Sequence, residues 1–357
     1  MGEWKEYKLG EIISLGNGKV RPKEIGNIPI YGGNGILGYC NNYNYKGETI
    51  IIGRVGAYCG SVYYENRPIW ISDNALAVKP KNGYSTKFLY YFLKTLRLHE
   101  YAEGSSHPLL TQTLLNTIDV LFINNIQEQN HIASILGSLD NKIDLLHREN
   151  ETIEAMAEII FRKWFIEDVK DEWKDNIGTY AEHYKVSINP QKYDNTIFEH
   201  YSIPAFDNGK NPILENSKDI KSNKYIVPNN CILFSKLNPH KDKRVWLIIG
   251  EDNKNAICST EFQIIKPLKK EYLYFLYGWL TNKENYEEIS FGVGGTSSSH
   301  QRIDPQSIFT FSCPNLNINK VNDYNAIVGP LFQKQKLNQN QIVNLKEQRD
   351  KLLQKLI

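Results

Sequence analysis

Two stretches of the chain carry an apolar stripe in which spacings of four and three alternate. The first runs Leu139, Ile143, Leu146, Asn150, Ile153, Ala157, Ile160 and Trp164. The second runs Leu331, Gln335, Asn338, Ile342, Leu345, Arg349, Leu352 and Leu356. This repeat keeps one face of an α-helix turned toward a neighbour, so each stretch predicts a long helix with a coiled-coil seam. No proline follows Pro330 in the second run. Polar residues at several seam positions weaken the seam and fix its register.

The two stretches are copies. A shift of 192 residues lays Ile132–Leu139 on Tyr324–Leu331, with Gly137 on Gly329, and Leu145, Ile153, Ile160 and Phe161 on Leu337, Leu345, Leu352 and Leu353. The segments before each helix echo one another more loosely. Each opens on a Trp-Lys pair, Trp4-Lys5 and Trp173-Lys174. Each has a β-rich apolar run, Glu48–Ile52 and Cys231–Phe234, read as buried strands. Each continues through a short aromatic helix, Phe88–Leu93 or Tyr272–Leu276, whose rings read as core. A small hydroxyl loop follows, Gly104–His107 or Gly295–His300, and then a strand, Ile118–Ile123 or Ile308–Phe311. The predicted order is domain, helix, domain, helix, in an α+β fold.

Charge bears on how the helices meet. Residues 127–166 hold 4 Lys/Arg and 7 Asp/Glu, a balance of −3, and residues 321–357 hold 6 and 3, a balance of +3. Opposite signs favour pairing, although an exposed ion pair contributes only about 0–1 kcal/mol. The alternative is that each helix covers its own domain. The 357-residue chain is 41% hydrophobic and 23% charged, which suits two domains with real cores. Its five cysteines, Cys40, Cys59, Cys231, Cys258 and Cys313, are scattered without a C-x-x-C pair. An odd, scattered set reads as reduced thiols in the cytoplasm. Met1–Gly10 has no apolar core of signal-peptide length, and no run is long enough to cross a bilayer. A net charge of +2 is low for a free-standing DNA binder.

Catalytic signatures are missing from the sequence. Gly32-Gly33-Asn34-Gly35 and Phe291–Gly295 are glycine-rich, but neither joins a strand to a helix as a cofactor loop does. Asn238-Pro239-His240 and Asn189-Pro190-Gln191 lack the second proline and the aromatic of an amino-methyltransferase motif. There is no P-loop, paired-acid nuclease core or metal-binding H-x-x-H. His107 and His300 sit beside serines without a matched nucleophile and acid. The chain is expected to be no enzyme and to bind no metal.

The domain-helix-domain-helix order, with particular residues, resembles the specificity subunit of type I restriction-modification systems. The matching stretches are Trp4–Ile12, Asn125–Ala133, Ser138–Ile143, Met156–Phe165 and Leu345–Leu353. The second helix departs from the pattern, entering through Asn319–Asp323 without a Glu-Gln motif. The resemblance implies target-recognition domains at 1–126 and 167–320, with spacer helices at 127–166 and 321–357 forming an antiparallel coiled coil. Each domain would read one half of a bipartite site in double-stranded DNA. Two modification (methyltransferase) subunits and restriction (endonuclease/translocase) subunits would dock on the chain. S-adenosylmethionine, ATP and Mg would act on those partners, and this chain would hold no cofactor. Leu139 to Trp164 spans on the order of 39 Å at 1.5 Å per residue, comparable with one turn of B-DNA, roughly 34–36 Å.

Under that reading, base and phosphate contacts require cations, amides and hydroxyls on exposed loops. The first domain offers Lys19, Arg21 and Lys23 in a glycine-rich loop. It adds Tyr31, Asn34 and Arg54 on turns flanking strands, and Ser105, Ser106 and His107 in the hydroxyl loop. The second offers Lys236, Asn238, His240, Lys241, Lys243 and Arg244, its strongest basic cluster, and Ser297, Ser298, Ser299, His300, Gln301 and Arg302. Arg54 and Lys236 follow the two buried strands at similar positions. Two rival readings are a coiled-coil scaffold that binds no DNA and the recognition half of a fused methyltransferase, the latter opposed by the missing motifs.

Overall fold

The computed structural model describes residues 3–104, 108–167, 173–240, 243–250, 253–291 and 302–357. The chain divides into one unit of Met1–Leu145 with Ile342–Ile357, and a second of Leu146–Gln341. Each unit thus takes one globular module and part of both long helices.

In the first unit the chain forms β1 (Trp4–Lys8), α1 (Leu9–Ile12), β2 (Ile13–Asn17), β3 (Ile28–Gly32), β4 (Gly35–Cys40) and β5 (Thr49–Gly53). Next come β6 (Val62–Glu65), β7 (Trp70–Ile71), β8 (Ala75–Pro80), α2 (Thr86–Thr95), α3 (Gln112–Thr117), β9 (Asp119–Ile123) and the start of α4 (Ile126–Arg162). Four strands form an antiparallel sheet in the order β2-β8-β5-β6, three form a smaller sheet β4-β3-β7, and β1 pairs with β9. Strand β5 is buried along its whole length because both of its faces are covered. Ile50 and Ile52 pack with Leu76, Val78, Phe88 and Phe92. Ile51 packs with Tyr31, Ile69 and Ile71 on the other side. A strand covered on both sides does not alternate apolar with polar, which accounts for the unbroken Ile50-Ile-Ile52 run.

Helix α2 starts at Ser85, whose hydroxyl accepts from Phe88 N at 3.4 Å. Its aromatic face meets Phe122 of β9, whose ring centroid lies 5.1 Å from Tyr84, 5.7 Å from Phe88 and 5.1 Å from Phe92. Helix α4 begins where Asn125 Oδ1 accepts from Gln127 N at 3.0 Å and Glu128 N at 3.1 Å. Inside that first turn the buried Gln129 donates to Ile123 O at 2.7 Å and accepts from Ser85 N at 2.9 Å. One amide therefore ties β9, α2 and α4 together.

The second unit repeats this plan. It holds β10 (Asp175–Asn176), β11 (Ala181–Tyr184), β12 (Ser187–Ile188), β13 (Ile197–Tyr201), α5 (Ile203–Asp207), β14 (Ile213–Asn216), β15 (Lys224–Ile226) and β16 (Cys231–Ser235). β17 (Val245–Ile248), β18 (Ala256–Cys258), β19 (Phe262–Pro267), α6 (Leu273–Thr281), α7 (Lys283–Phe291), β20 (Ser312–Cys313) and α8 (Ile318–Leu356) complete it, with α8 ending in the first unit. The sheet β11-β19-β16-β17 matches β2-β8-β5-β6, and β10 pairs with β20 as β1 does with β9. The order β14-β13-β18 matches β4-β3-β7, including a parallel pair in each, with β15 and β12 added here. Strand β16 is buried throughout, as β5 is. Even the helix cap recurs: Asn317 Oδ1 accepts from Asn319 N at 2.9 Å and Lys320 N at 3.4 Å. The second helix thus keeps the cap although it lacks the Glu-Gln motif. The position equivalent to Gln129 is the buried Val321.

One expected strand is absent in the form anticipated. Ile308–Phe311 falls mostly in a 3-10 turn, Ser307–Thr310, followed by the two-residue β20. Asp304 imposes the turn, because its carboxylate accepts from Gln306 N at 3.1 Å and its carbonyl from Ser307 N at 3.1 Å.

The long helices pair within each unit. In the first, Asp140 of α4 accepts from Arg349 Nη1 of α8 at 2.8 Å and from the Tyr91 hydroxyl of α2 at 2.7 Å. In the second, Asn338 Nδ2 donates to Asn150 Oδ1 and to Glu149 Oε2, both at 2.9 Å, and Gln335 Nε2 donates to Glu154 at 2.8 Å. A step forward on α4 is a step back on α8, so the helices run antiparallel. Ile143, Leu146, Ile153 and Ala157 are buried, as are Asn338 and Ile342. Leu139, Ile160, Leu331, Leu345, Leu352 and Leu356 are half-buried. Trp164 packs against Tyr324 at 6.1 Å within the second unit, and Met156 is exposed.

Three outcomes follow for stability. Asn338→Ala leaves Asn150 without its partner and is expected to cost about 1–3 kcal/mol in chemical denaturation. The double change Asn150→Leu/Asn338→Leu should recover most of that loss, because both polar partners are then replaced together. Phe122→Ala empties the centre of the first module's aromatic cluster and should cost about 3–5 kcal/mol by the same measurement.

Candidate nucleic-acid interface

The buried central strand of each module ends in a cation. Gly53 closes β5 where a side chain would strike Tyr58 O at 2.6 Å and Gly33 Cα at 2.9 Å, so the β3–β4 turn lies directly against this point. Arg54 comes next. Its N–H donates to Asn74 O at 3.0 Å and its carbonyl accepts from Leu110 N at 2.8 Å. In the second module, Lys236 follows β16, donates to Glu261 O at 2.9 Å and accepts from Ile303 N at 3.2 Å. Val55 bridges Leu109 in the first module, and Leu237 bridges Arg302 in the second. Both cations therefore occupy one backbone site, stitched to the segment that leaves the hydroxyl loop.

The hydroxyl loops' Ser105, Ser106, His107, Ser297, Ser298, Ser299, His300 and Gln301, and Lys241 of the basic run, lie outside the described residues. The remaining candidates divide in two. Lys19, Lys23 and Asn34 are exposed, Asn34 at the tip of the β3–β4 turn beside Gly33. The loop bearing Lys19 is anchored, since Lys19 N donates to Ile71 O at 2.9 Å and its carbonyl accepts from Trp70 Nε1 at 3.3 Å. Arg21 donates to Leu37 O on the edge strand β4 at 3.2 Å. His240 is exposed, and Asn238 adopts a left-handed conformation at φ 47.

Other candidates are committed to internal contacts. Tyr31 lies in β3, not on a flanking turn, and is buried with its hydroxyl donating to Glu65 at 3.2 Å. Burial, reinforced by Glu65, pushes that phenol up to about 12. Arg244 makes a bidentate pair with Asp207 at 2.6 and 2.8 Å. Lys243 donates to Thr281 O and sits 5.6 Å from the Tyr286 ring centroid. The Lys236–Arg244 run thus splits, its far end bracing α5 and the α6–α7 junction.

The second module's corner gathers positive charge. Burial lowers the affinity of Lys236 for its proton, Glu261 opposes this, and the charges of Arg302 and Lys185 add to it. Arg302 grips Glu261 in a bidentate pair at 3.1 and 2.7 Å yet remains half open to solvent. His183 of β11 stacks on Phe309 with centroids 6.5 Å apart. Burial and the charges of Lys185 and Lys236 hold its imidazole below the ordinary range. Lys185 and His183 escaped the sequence reading because the β-strand repeat that places them beside Lys236 has no shared residue pattern. The register supplies the signal: Ile13 pairs with Pro80 and Ala181 with Pro267, so Asn17, the last residue of β2, corresponds to Lys185, the residue just past the end of β11. Asn17 Oδ1 accepts from Gln112 Nε2 at 2.7 Å, two residues beyond Leu110. Among the described residues no group of three His, Cys, Asp or Glu side chains could hold a metal ion. None of their helices is long and apolar enough to cross a membrane.

Residues 1–155 match the type I restriction modification DNA specificity domain. The chain is 33% identical over 140 residues to the type I restriction enzyme EcoprrI specificity subunit of Escherichia coli, covering 39% of this chain and 35% of that protein. It is 27% identical over 345 residues to the type I restriction enzyme MjaIX specificity subunit of Methanocaldococcus jannaschii, covering 87% and 77%. The aligned part of the chain therefore spans about a third of the first relative and three quarters of the second. The crystal structure of the type I restriction-modification system S subunit from M. genitalium shares the fold, with a TM-score of 0.64 at 18% identity over 100% of this chain and 96% of that one. The chain is therefore similar to type I restriction-modification specificity subunits, in its first 155 residues by the family's domain and over most of its length by the second relative.

Proposed function

We propose that the chain is the non-catalytic DNA-specificity subunit of a type I restriction-modification complex. Each module reads one half of a bipartite site in double-stranded DNA. The chain positions two methyltransferase subunits and the restriction subunits, which carry S-adenosylmethionine, ATP and Mg. The observation that carries this reading is the duplicated corner: Arg54 and Lys236 occupy the same backbone site, each tied to the segment leaving a hydroxyl loop. A cation on a rigid strand end suits guanine edges and phosphates, and two such corners suit two half-sites. The low net charge of +2 accords with a reader whose phosphate grip is shared with partner subunits.

Deletion of the gene followed by genome-wide mapping of methylated adenines tests the proposal. A motif with two short specified halves and a fixed unspecified gap should vanish with the chain, and its persistence would refute the reading. In the assembled complex, Lys236→Ala should weaken DNA binding. If Lys236 meets a phosphate, the loss is uniform across sequences and the salt dependence drops by about one counterion. If it meets a base, selectivity relaxes at one position of one half-site.

A further inference from the structure

We infer that the Asn17–Gln112 amide pair reads a base edge in the half-site facing the first module. The inference rests on the DNA-reading function proposed above and adds residues to it. Its location comes from the repeat. Extending the ladder by one residue beyond β11 lays Asn17 on Lys185, and Lys185 lies close enough to Lys236 for their charges to be felt. Lys236 is in turn equivalent to Arg54, and Gln112 follows Leu110, whose N–H donates to the Arg54 carbonyl at 2.8 Å. The amide pair therefore stands at the same corner of its module as the cation cluster of the other.

The chemistry follows from what the pair leaves unused. Asn17 Oδ1 accepts from Gln112 Nε2 at 2.7 Å. Among the described residues, Asn17 Nδ2 and Gln112 Oε1 have no side-chain partner, so the pair offers both a donor and an acceptor. Adenine presents an N6 donor and an N7 acceptor in the major groove, the complementary set. Asn17 is exposed, and its backbone is held twice, by the ladder opposite Leu76 and by the Tyr45 hydroxyl, which donates to its carbonyl at 2.9 Å. Gln112 opens α3, where Thr111 caps the helix by accepting from Leu114 N at 3.1 Å. Two amides held on a strand end and a helix start lose little freedom on binding. The second module has a lysine at this corner, so the two halves differ in how they recognise DNA here.

The test is complementation of the deletion strain with Asn17→Ala, Gln112→Ala and Gln112→Glu chains, mapping methylated adenines and recording the melting temperature of each purified chain. The alanine variants should lose roughly 5- to 150-fold discrimination at a single base pair in one half of the motif, the range for one bidentate contact. The other half and the melting temperature should be unchanged. Gln112→Glu, which can only accept, should move preference at that same pair away from adenine and toward cytosine. Undiminished discrimination in all three variants would overturn the inference. So would equal relaxation of both halves with a lowered melting temperature, which would make the pair a tie between β2 and α3. The wild-type chain is read in the same experiment. If it restores no split motif, the proposed function itself fails, and this inference with it.

Discussion

Burial of one central strand on both faces is the constraint from which the rest of each module follows. Strand β5 in the first unit and β16 in the second lie between a helix layer and a second sheet, three-stranded in the first unit and five-stranded in the second. Covering both faces leaves each strand only one small buried hydroxyl at an end, Thr49 or Ser235, and fixes its register against two neighbours. Its end is then one of the most rigid points in the module. Arg54 and Lys236 sit on that point, so a surface cation inherits the precision of the core. The residue before Arg54 shows the cost of the arrangement, because Gly53 must be glycine for the β3–β4 turn to close over it.

The helices solve a different problem, that of attaching a module to a long scaffold in a single orientation. The first unit does this with polar bonds. Asp140 on α4 accepts from both Tyr91 of the module and Arg349 of α8, and burial together with that carboxylate keeps the tyrosine protonated far above neutrality. The second unit uses rings at the corresponding place, with Phe332 of α8 packed at 5.4 Å from Tyr274 and 5.2 Å from Tyr277 of α6. Directional bonds and interlocking rings each penalise a slip of one helical turn. The Asn150–Asn338 bond acts similarly between the helices, since a shifted register would strand two buried amides.

Charge is distributed by function more than by sum. Arg244 and Lys243 brace α5 and the α6–α7 junction, while Lys185, Lys236 and Arg302 crowd one corner around Glu261. Crowding like charges is unfavourable in the isolated protein, and an approaching anion relieves it.

The sequence by itself determined the architecture. The 4-3 spacing, the 192-residue shift and the apolar runs at Ile50–Ile52 and Cys231–Phe234 are one-dimensional records of helix period, duplication and two-sided burial, so the long helices and both central strands were legible from them. The equivalence of Arg54 and Lys236 was legible too, because each directly follows such a run. Tertiary structure alone decided which cations face outward. Arg244 and Lys236 belong to one basic run, yet Asp207, 37 residues from Arg244, claims the arginine. Tyr31 likewise reads as a turn residue until Glu65 is brought beside it. Asn17 and Gln112 are 95 residues apart and meet only because β2 and α3 close on the same corner. Periodicity is local and survives in the sequence. The partner that captures a side chain is set by folding, and no spacing along the chain encodes it.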